Sequence, residues 1–558
     1  MAEDGRDLSR LRRVPGEDRP RHSRGDHRPR VVSELPRSVQ SRLATWFDDG
    51  SVVAPSVNYA VFDRSGVLFA HGRGEFQLDG HRRAPGADTV YRIASMSKSF
   101  LAAAILVLEE QGLLSLSDRV GIHLPEFADP VDRFGAPLPV TLEMLLSNAS
   151  GLPEDNGWAD DELALSRDDF VAIVAEGLRF AGVPGDGYQY SNIGFWMLGV
   201  VVENVTGQPF AEFARDALLT PLGLNDTHYD ADAYPSGENA PFLAHGYSTF
   251  DEGVTWNERP VVGTGIGGCA ASMFSTVGDI ARWSAWLSSA FDTPGALTNR
   301  DNILSRASRR RMQRAHTATP APVDRPHGEH IEGAGYGLGL NIEHDRRFGV
   351  IAQHSGGLPG WSSNMRWHTE SGLGVVVFAN ANGAKPSAAA AAMLRFVLES
   401  LDVPAQQITL WPETLHAAAA IDAALRGSGR MADAATGPGV IFSRNLLSDV
   451  PSEVRDARLA ASIAEIGGLA GDAETQGLEQ RMLWSVSPAH LAWSIRGRSG
   501  SLECRVELTP TAPPMVQRLE VVVAVATPSA AASRDENPSV QKHYVPLSPE
   551  RETAERLL

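Results

Sequence analysis

Lysine is almost missing from this chain. Of 50 basic side chains only three are lysines, Lys98, Lys385 and Lys542, so the setting of each one carries information. Cysteine is as scarce: Cys269 and Cys504 lie far apart, lack metal-ligand spacing and are too few for a disulfide framework, so both are expected as reduced, buried thiols. No apolar run approaches the roughly 18 residues of a membrane-spanning helix. Positive charge is in deficit too. A net charge of −18 argues against nucleic acid or an anionic membrane as partner, because phosphate recognition needs clustered positive surface. What remains is 43% apolar and 21% charged over 558 residues, enough for a large soluble domain plus a smaller one.

The first 34 residues are rich in Arg, Asp, Gly and Pro and hold no hydrophobic core of a secretory signal, despite the pair Arg12-Arg13. They are expected as a disordered arm of a cytoplasmic protein. A first domain is expected over 35–400, a Pro- and Ala-rich linker with some helix over 401–438, a small α+β domain over 439–528 and a mobile tail over 529–558.

Within the first domain, residues 57–76 pattern as two strands around a turn at Asp63-Arg64-Ser65-Gly66. A mainly helical stretch runs from about 95 to 345, with a capping box at Thr276-Val277-Gly278-Asp279 and Gly112 closing a helix that begins at Ser95. Strand signals return at 348–354, 363–368 and 374–381. Strand pair, helical middle and three further strands imply one antiparallel sheet with helices around it, an α+β domain rather than a βαβ array. In the second domain one amphipathic helix over 452–466 precedes four strand-like segments, with Trp484 and Trp493 expected in the sheet-face core.

Lys98 follows Ser95 by three residues at the start of the apolar run FLAAAILVL. On a helix that spacing shares a face. A lysine against apolar surface loses solvation, its pKa falls, and it can accept the serine proton. A second Ser-x-x-Lys, Ser539 to Lys542, lies in the polar tail, where nothing desolvates the amine. Two more segments join the first: Tyr190-Ser191-Asn192 ahead of an apolar helix, and His354-Ser355-Gly356-Gly357 at a strand end. Each alone is ordinary turn chemistry.

Taken together, in this order, the three motifs resemble the serine hydrolases of the β-lactamase and penicillin-binding-protein superfamily, in the branch of class C β-lactamases, D-aminopeptidases and related esterases. The stretches LLSNASGLP (145–153), PLGLNDT (221–227), GGCAASMFSTVGDIARW (267–283) and YGLGL (336–340) are similar to the branch as well, and the likeness spans about residues 50 to 385. The resemblance implies a β-lactamase/transpeptidase-like fold with a mainly helical second lobe. It also implies a Ser95 nucleophile, Lys98 as its base, Tyr190 as proton shuttle and Asn192 as a partner of Lys98 and of substrate. The N–H groups of Ser95 and Gly357 would form the oxyanion hole, with His354, Ser355 and Gly356 on the substrate-binding strand, Gly356 and Gly357 letting substrate approach closely. No metal or cofactor is required.

The chain departs from that pattern at His354, where β-lactamases and carboxypeptidases of the superfamily usually carry lysine. A mostly neutral imidazole weakens carboxylate recognition and points to an ester or a peptide with a free N-terminus. Ser147-Asn148 replace a Thr-His, and Leu340 stands where tryptophan is frequent. No G-x-S-x-G occurs, so an α/β-hydrolase elbow has no candidate, and His327-Gly328-Glu329-His330 lacks the H-E-x-x-H pattern and is expected as a solvated loop. The leading expectation is an amide- or ester-cleaving serine hydrolase, D-aminopeptidase-like or esterase, with a small-molecule or peptide substrate. The alternatives are β-lactamase or D-Ala-D-Ala carboxypeptidase-type activity, or a non-catalytic assembly protein keeping the fold. The second domain is expected to trim substrate size over the cleft or to mediate homo-oligomer formation.

Overall fold

The computed structural model describes residues 34–78, 83–234, 242–292, 299–320, 330–405, 408–427, 430, 442–470 and 477–524. The tail expected over 529–558, all but the last residue of the N-terminal arm, and His327 to Glu329 lie outside these residues.

The strand pair expected near residue 60 is present as β1 (Ser56–Asp63) and β2 (Gly66–Gly74), joined at a turn where Asp63 Oδ1 accepts the Ser65 N–H at 2.7 Å. Two short ribbons follow, β3 (Tyr91–Arg92) paired with β6 (Phe274–Ser275), and β4 (Gly246–Ser248) paired with β5 (Asn257–Arg259). The end of the stretch expected to be helical is instead β7 (Thr317–Thr319), β8 (Ile331–Tyr336) and β9 (Asn341–Asp345). The glycines in IEGAGY weaken the strand pattern, so pairing to a neighbour rather than propensity decides this segment. With β10 (Gly349–Leu358), β11 (Trp361–His368) and β12 (Gly374–Ala379), these make one antiparallel sheet of eight strands, ordered β2-β1-β12-β11-β10-β9-β8-β7.

Alternation along the central strands feeds two apolar layers. Ala60 and Phe62 of β1 and Val376 and Phe378 of β12 face the larger core, which contains the helix Lys98–Glu110. Val57, Tyr59 and Val61 with Val375, Val377 and Ala379 face a second core, closed by the helix Pro386–Ser400. The Lys98–Glu110 helix is buried on all sides from Lys98 through Leu108, which its continuous apolar run requires. The helix Asn192–Thr206 packs in the same core, and Gly112 and Gly207 end the two helices with positive φ. The expected cap at Thr276 is formed: its side chain accepts the Asp279 N–H at 3.2 Å and starts the helix Val277–Ser288.

The C-terminal residues build a separate core. Strands β13 (Met482–Trp484), β14 (His490–Arg496), β15 (Ser501–Leu508) and β16 (Val516–Val523) form an antiparallel sheet in chain order, at the positions the sequence predicts. The helix Pro412–Gly427 falls in the stretch expected to be linker, yet Ala417, Ala418, Ile421 and Leu425 pack into this core beside Leu459 of the helix Ser452–Glu465. Asp422 ties that helix to the sheet, accepting from Arg481 through both oxygens and from Trp493 Nε1. Trp493 is core as expected. Trp484 lies opposite Ala492 on the other face, stacked on His490 with ring centroids 4.6 Å apart.

Candidate active site

Ser95 is carried by a tight turn, Ala94–Ser97, wedged between β3 and the Lys98–Glu110 helix. Ala94 adopts φ +50, a left-handed conformation that costs a residue with a Cβ about 1 kcal/mol. Its neighbours hold it there. Ser97 Oγ donates to the Ala94 carbonyl at 2.6 Å, Ile93 N–H donates to Met273 O at 2.8 Å, and Ser363 Oγ donates to Ile93 O at 2.8 Å. The nucleophile candidate thus precedes the helix rather than opening it, and Lys98 is the first helical residue.

Lys98 is fully buried and its ammonium has three neighbours: Ser95 Oγ at 3.2 Å, Asn192 Oδ1 at 2.7 Å and Ala270 O at 3.5 Å. Burial pulls its pKa down to about 8, against the attraction of Asp155 and, more weakly, Asp160. The neutral amine has two N–H bonds, which the Asn192 and Ala270 oxygens can take, leaving its lone pair for the Ser95 hydroxyl.

Tyr190 stands over the same amine, its ring centroid 4.9 Å from Lys98 Nζ, and lines the same cavity as Ser95. Burial raises its pKa well above the usual value, and Asp155, Asp160 and Glu154 push it the same way. Tyr190 is thus held as a protonated phenol, and the amine is the group tuned toward neutrality. His354 is buried beside them, with Nε2 3.0 Å from Tyr336 Oη and Nδ1 2.6 Å from the Ser355 carbonyl oxygen. Burial, and after it the nearby Lys98 charge, lowers its pKa to about 3. The imidazole is neutral, as the sequence predicts.

Strand β9 pairs with β10 only as far as Gln353, whereas β11 continues to Leu358, so no described strand flanks residues 354–358 on the β9 side. Gly356 and Gly357 do different jobs there. A Cβ at Gly356 would sit 2.1 Å from Ile93 O and 2.3 Å from Ser363 Oγ, while one at Gly357 would meet nothing within 4 Å. Gly356 lets β10 close on the Ser95 turn; Gly357 borders open space. The Ser355 hydroxyl accepts from Asn364 Nδ2 at 2.9 Å on the other face of the strand from Gly356, and the residue lines the same cavity as Ser95.

Sequence reasoning missed Asp155, which carries no motif of its own. Its carboxylate accepts from Asn192 N and Ile193 N, both at 2.8 Å, from Asn192 Nδ2 at 2.9 Å and from Ser191 Oγ at 3.2 Å. Asp160, held up to about 6 chiefly by burial, lines the cleft with Ser95 and Tyr190 in a cavity of about 1380 Å³. Asn148, in place of the usual histidine, is buried with φ +54 and accepts the Ser191 N–H at 3.1 Å. Among the described residues no group of three or more His, Cys, Asp or Glu side chains could hold a metal ion. Cys269 and Cys504 are free and buried.

The chain is 29% identical over 313 residues to a penicillin-binding protein of Bacillus subtilis (strain 168), covering 54% of this chain and 62% of that one. It is 26% identical over 331 residues to protein flp of Staphylococcus aureus (strain NCTC 8325), covering 59% and 60%. It thus spans about three fifths of the length of these curated relatives. In fold it is similar to the octameric penicillin-binding protein homologue from Pyrococcus abyssi, with 19% identity, TM-score 0.54, and 87% of this chain and 99% of that chain covered. It is also similar to EstCE1, a hydrolase with promiscuous acyltransferase activity, with 19% identity, TM-score 0.50, and 65% and 96% covered. The Beta-lactamase family matches residues 43–399, well over half of the sequence, and the chain belongs to that family.

Proposed function

We propose that the protein is a serine hydrolase that cleaves amide or ester bonds through an acyl-enzyme on Ser95. The observation that carries this reading is the buried Lys98 amine, with Ser95 Oγ at 3.2 Å and two carbonyl-type oxygens to occupy its N–H bonds. With a pKa near 8, about a tenth of it is neutral at pH 7. Neutral Lys98 takes the Ser95 proton as Oγ bonds to the substrate carbonyl carbon. The carbonyl oxygen becomes an oxyanion facing the N–H groups of Ser95 and Gly357. Lys98 returns the proton through the Tyr190 hydroxyl to the leaving amine or alcohol, and the carbonyl re-forms as that bond breaks. Water then repeats the sequence on the acyl-enzyme and releases the acid.

Neutral, enclosed His354 supplies no cation for a substrate carboxylate. That favours a D-aminopeptidase-like peptidase or an esterase over a dedicated β-lactamase. Initial rates on D-alanine p-nitroanilide, a short-chain p-nitrophenyl ester and nitrocefin, for wild type beside Ser95→Ala, test both statements. Turnover of anilide or ester that vanishes in Ser95→Ala, with nitrocefin nearly inert, is the expected result. Activity that survives Ser95→Ala removes the nucleophile assignment; efficient nitrocefin hydrolysis removes the substrate class.

A further inference from the structure

Asn192 can present either of two chemically opposite atoms to Lys98, and which one it presents decides whether the amine can work. If Nδ2 faced the amine it would donate to the lone pair that the Ser95 proton needs, and it would repel the ammonium form. The choice is made on the far side of the amide. Asn192 Nδ2 donates to Asp155 Oδ1 at 2.9 Å and to Asn156 Oδ1 at 2.9 Å, both acceptors, so Oδ1 is left for Lys98 at 2.7 Å.

We propose that Asp155 is the positioning residue of this site: its carboxylate locks the Asn192 amide with Oδ1 toward Lys98 and, from behind that amide, favours the ammonium form of the amine. The inference rests on the hydrolase reading for its catalytic consequence but not for its geometry. The same carboxylate takes the Asn192 and Ile193 N–H groups at 2.8 Å each and the Ser191 hydroxyl at 3.2 Å. Those two N–H groups open the helix Asn192–Thr206, where an acidic partner is favoured by the unpaired N–H groups and the helix dipole. Four donors converge on one side chain, so its orientation leaves no freedom to the amide it holds.

The groups that face Lys98 from each packed element limit what else could act. Cys269, from the short helix Gly268–Ala271, is a thiol whose pKa burial raises, so it is uncharged. His354 from β10 is neutral, and Tyr190, ahead of the Asn192 helix, stays a phenol. Asp160 is the other carboxylate, and its attraction to Lys98 ranks below that of Asp155. After burial itself, Asp155 is therefore the strongest influence on the amine's charge.

The scarcity of lysine makes the test direct. With lysine carrying carbon-13 at Cε, the full chain gives three lysine signals, assigned by Lys385→Arg and Lys542→Arg, and the Lys98 signal is followed against pH. In Asp155→Asn the Lys98 titration is expected to move down by about one pH unit, the scale of losing one nearby charge. The acidic limb of the ester kcat/KM profile moves with it, and kcat falls at least tenfold because the amide is free to flip. Ser191→Ala is the comparator. It removes one Asp155 contact and the helix-capping hydroxyl, so it lowers thermal stability but leaves the Lys98 titration in place. Asp155→Glu keeps the charge and is expected to retain the Lys98 titration while losing rate. An Asp155→Asn protein that is folded by circular dichroism and titrates at Lys98 as wild type does overturns the proposal. If Asp155→Asn does not fold, the Asp155→Glu titration decides, and a wild-type value leaves the charge argument standing while a value equal to that of an uncompensated lysine overturns it. A wild type with no Ser95-dependent turnover defeats the hydrolase reading alone, since the lysine titration is read without substrate.

Discussion

His354 Nε2 lies 3.0 Å from Tyr336 Oη while Nδ1 lies 2.6 Å from the Ser355 carbonyl oxygen. A carbonyl only accepts, so Nδ1 carries the hydrogen, and Nε2 is left to accept from the tyrosine. Both ring nitrogens are committed within the protein, in the neutral form.

That commitment predicts an acid-sensitive fold. The folded-state pKa of His354 is near 3 against an ordinary 6.5, so between those values the unfolded chain binds more protons and stability rises with pH. The contribution is complete above pH 6.5 and is lost as the pH falls toward 3. Between pH 7 and 4.5 wild type should lose about 3 kcal/mol more than His354→Gln, at about 1.4 kcal/mol per unit. Burial also pulls His368 down to about 4, but it is common to both proteins and cancels in the difference. Urea unfolding at the two pH values measures it; equal losses would refute the neutral buried imidazole.

Lys98 predicts the opposite end of the scale. As the base it acts only when neutral, so ester kcat/KM should climb tenfold per unit below its pKa of about 8 and level off above it. Asp160, ionising near 6, adds a negative charge toward Lys98 across the lower part of that climb. A profile from pH 5.5 to 9.5, corrected for hydrolysis by Ser95→Ala, shows this directly. A rate flat between pH 6.5 and 8.5 would exclude Lys98 as the base.

The two adjacent glycines of β10 should separate fold from function. Gly356→Ala places a Cβ 2.1 Å from Ile93 O, a backbone atom of the segment leading into the Ser95 turn. It should cost about 3 kcal/mol or more by overpacking, and displace Ser95 with it. Gly357→Ala meets open space and should leave stability within about 0.5 kcal/mol, while the added methyl raises KM where substrate docks. Thermal unfolding and ester kinetics on both variants check it; equal destabilisation by the two would contradict the assigned contacts.

The parts of this molecule visible in its sequence are those written in short, local patterns. Thr276 to Asp279 spells its own cap, 57–76 alternates around a turn, and Ser95 and Lys98 are three residues apart on an apolar run. Strands β7 to β9 are not visible in the sequence, because β7 is three residues long, β8 is broken by Gly333 and Gly335, and β9 is five residues with little apolar content, so all three gain strand structure only from neighbours already in place. Asp155 was hidden for a related reason. Its partners, residues 191–193, are some 36 positions away, and a carboxylate following Leu-Pro-Glu reads as loop. The Ala94 conformation left no mark at all, since alanine is an unremarkable choice until the φ of +50 is known. His354 shows the middle case: its neutrality followed from residue type, its loss of both ring nitrogens to Tyr336 and Ser355 did not.

Replacing Lys98 by methionine should divide stability from activity most cleanly. Wild type carries a buried amine whose charged form is disfavoured, with the folded-state pKa near 8 against 10.5. Between those values the unfolded chain binds more protons, so stability rises with pH across that window, and at pH 7 the protonated amine costs about 3 kcal/mol. Lys98→Met removes that cost but leaves Asn192 Oδ1 and Ala270 O without their donor, a loss of about 1–3 kcal/mol. The two nearly cancel, so unfolding at pH 7 should stay within about 1 kcal/mol of wild type. Activity has no such compensation: without a base beside Ser95 Oγ, ester turnover should fall by about a thousandfold. Calorimetry at pH 7 and again at pH 10, where wild type should gain on the variant as its own penalty fades, checks the energetic half, and initial rates check the other. A folded Lys98→Met enzyme within tenfold of wild-type rate would show that the Ser95 proton leaves by another route.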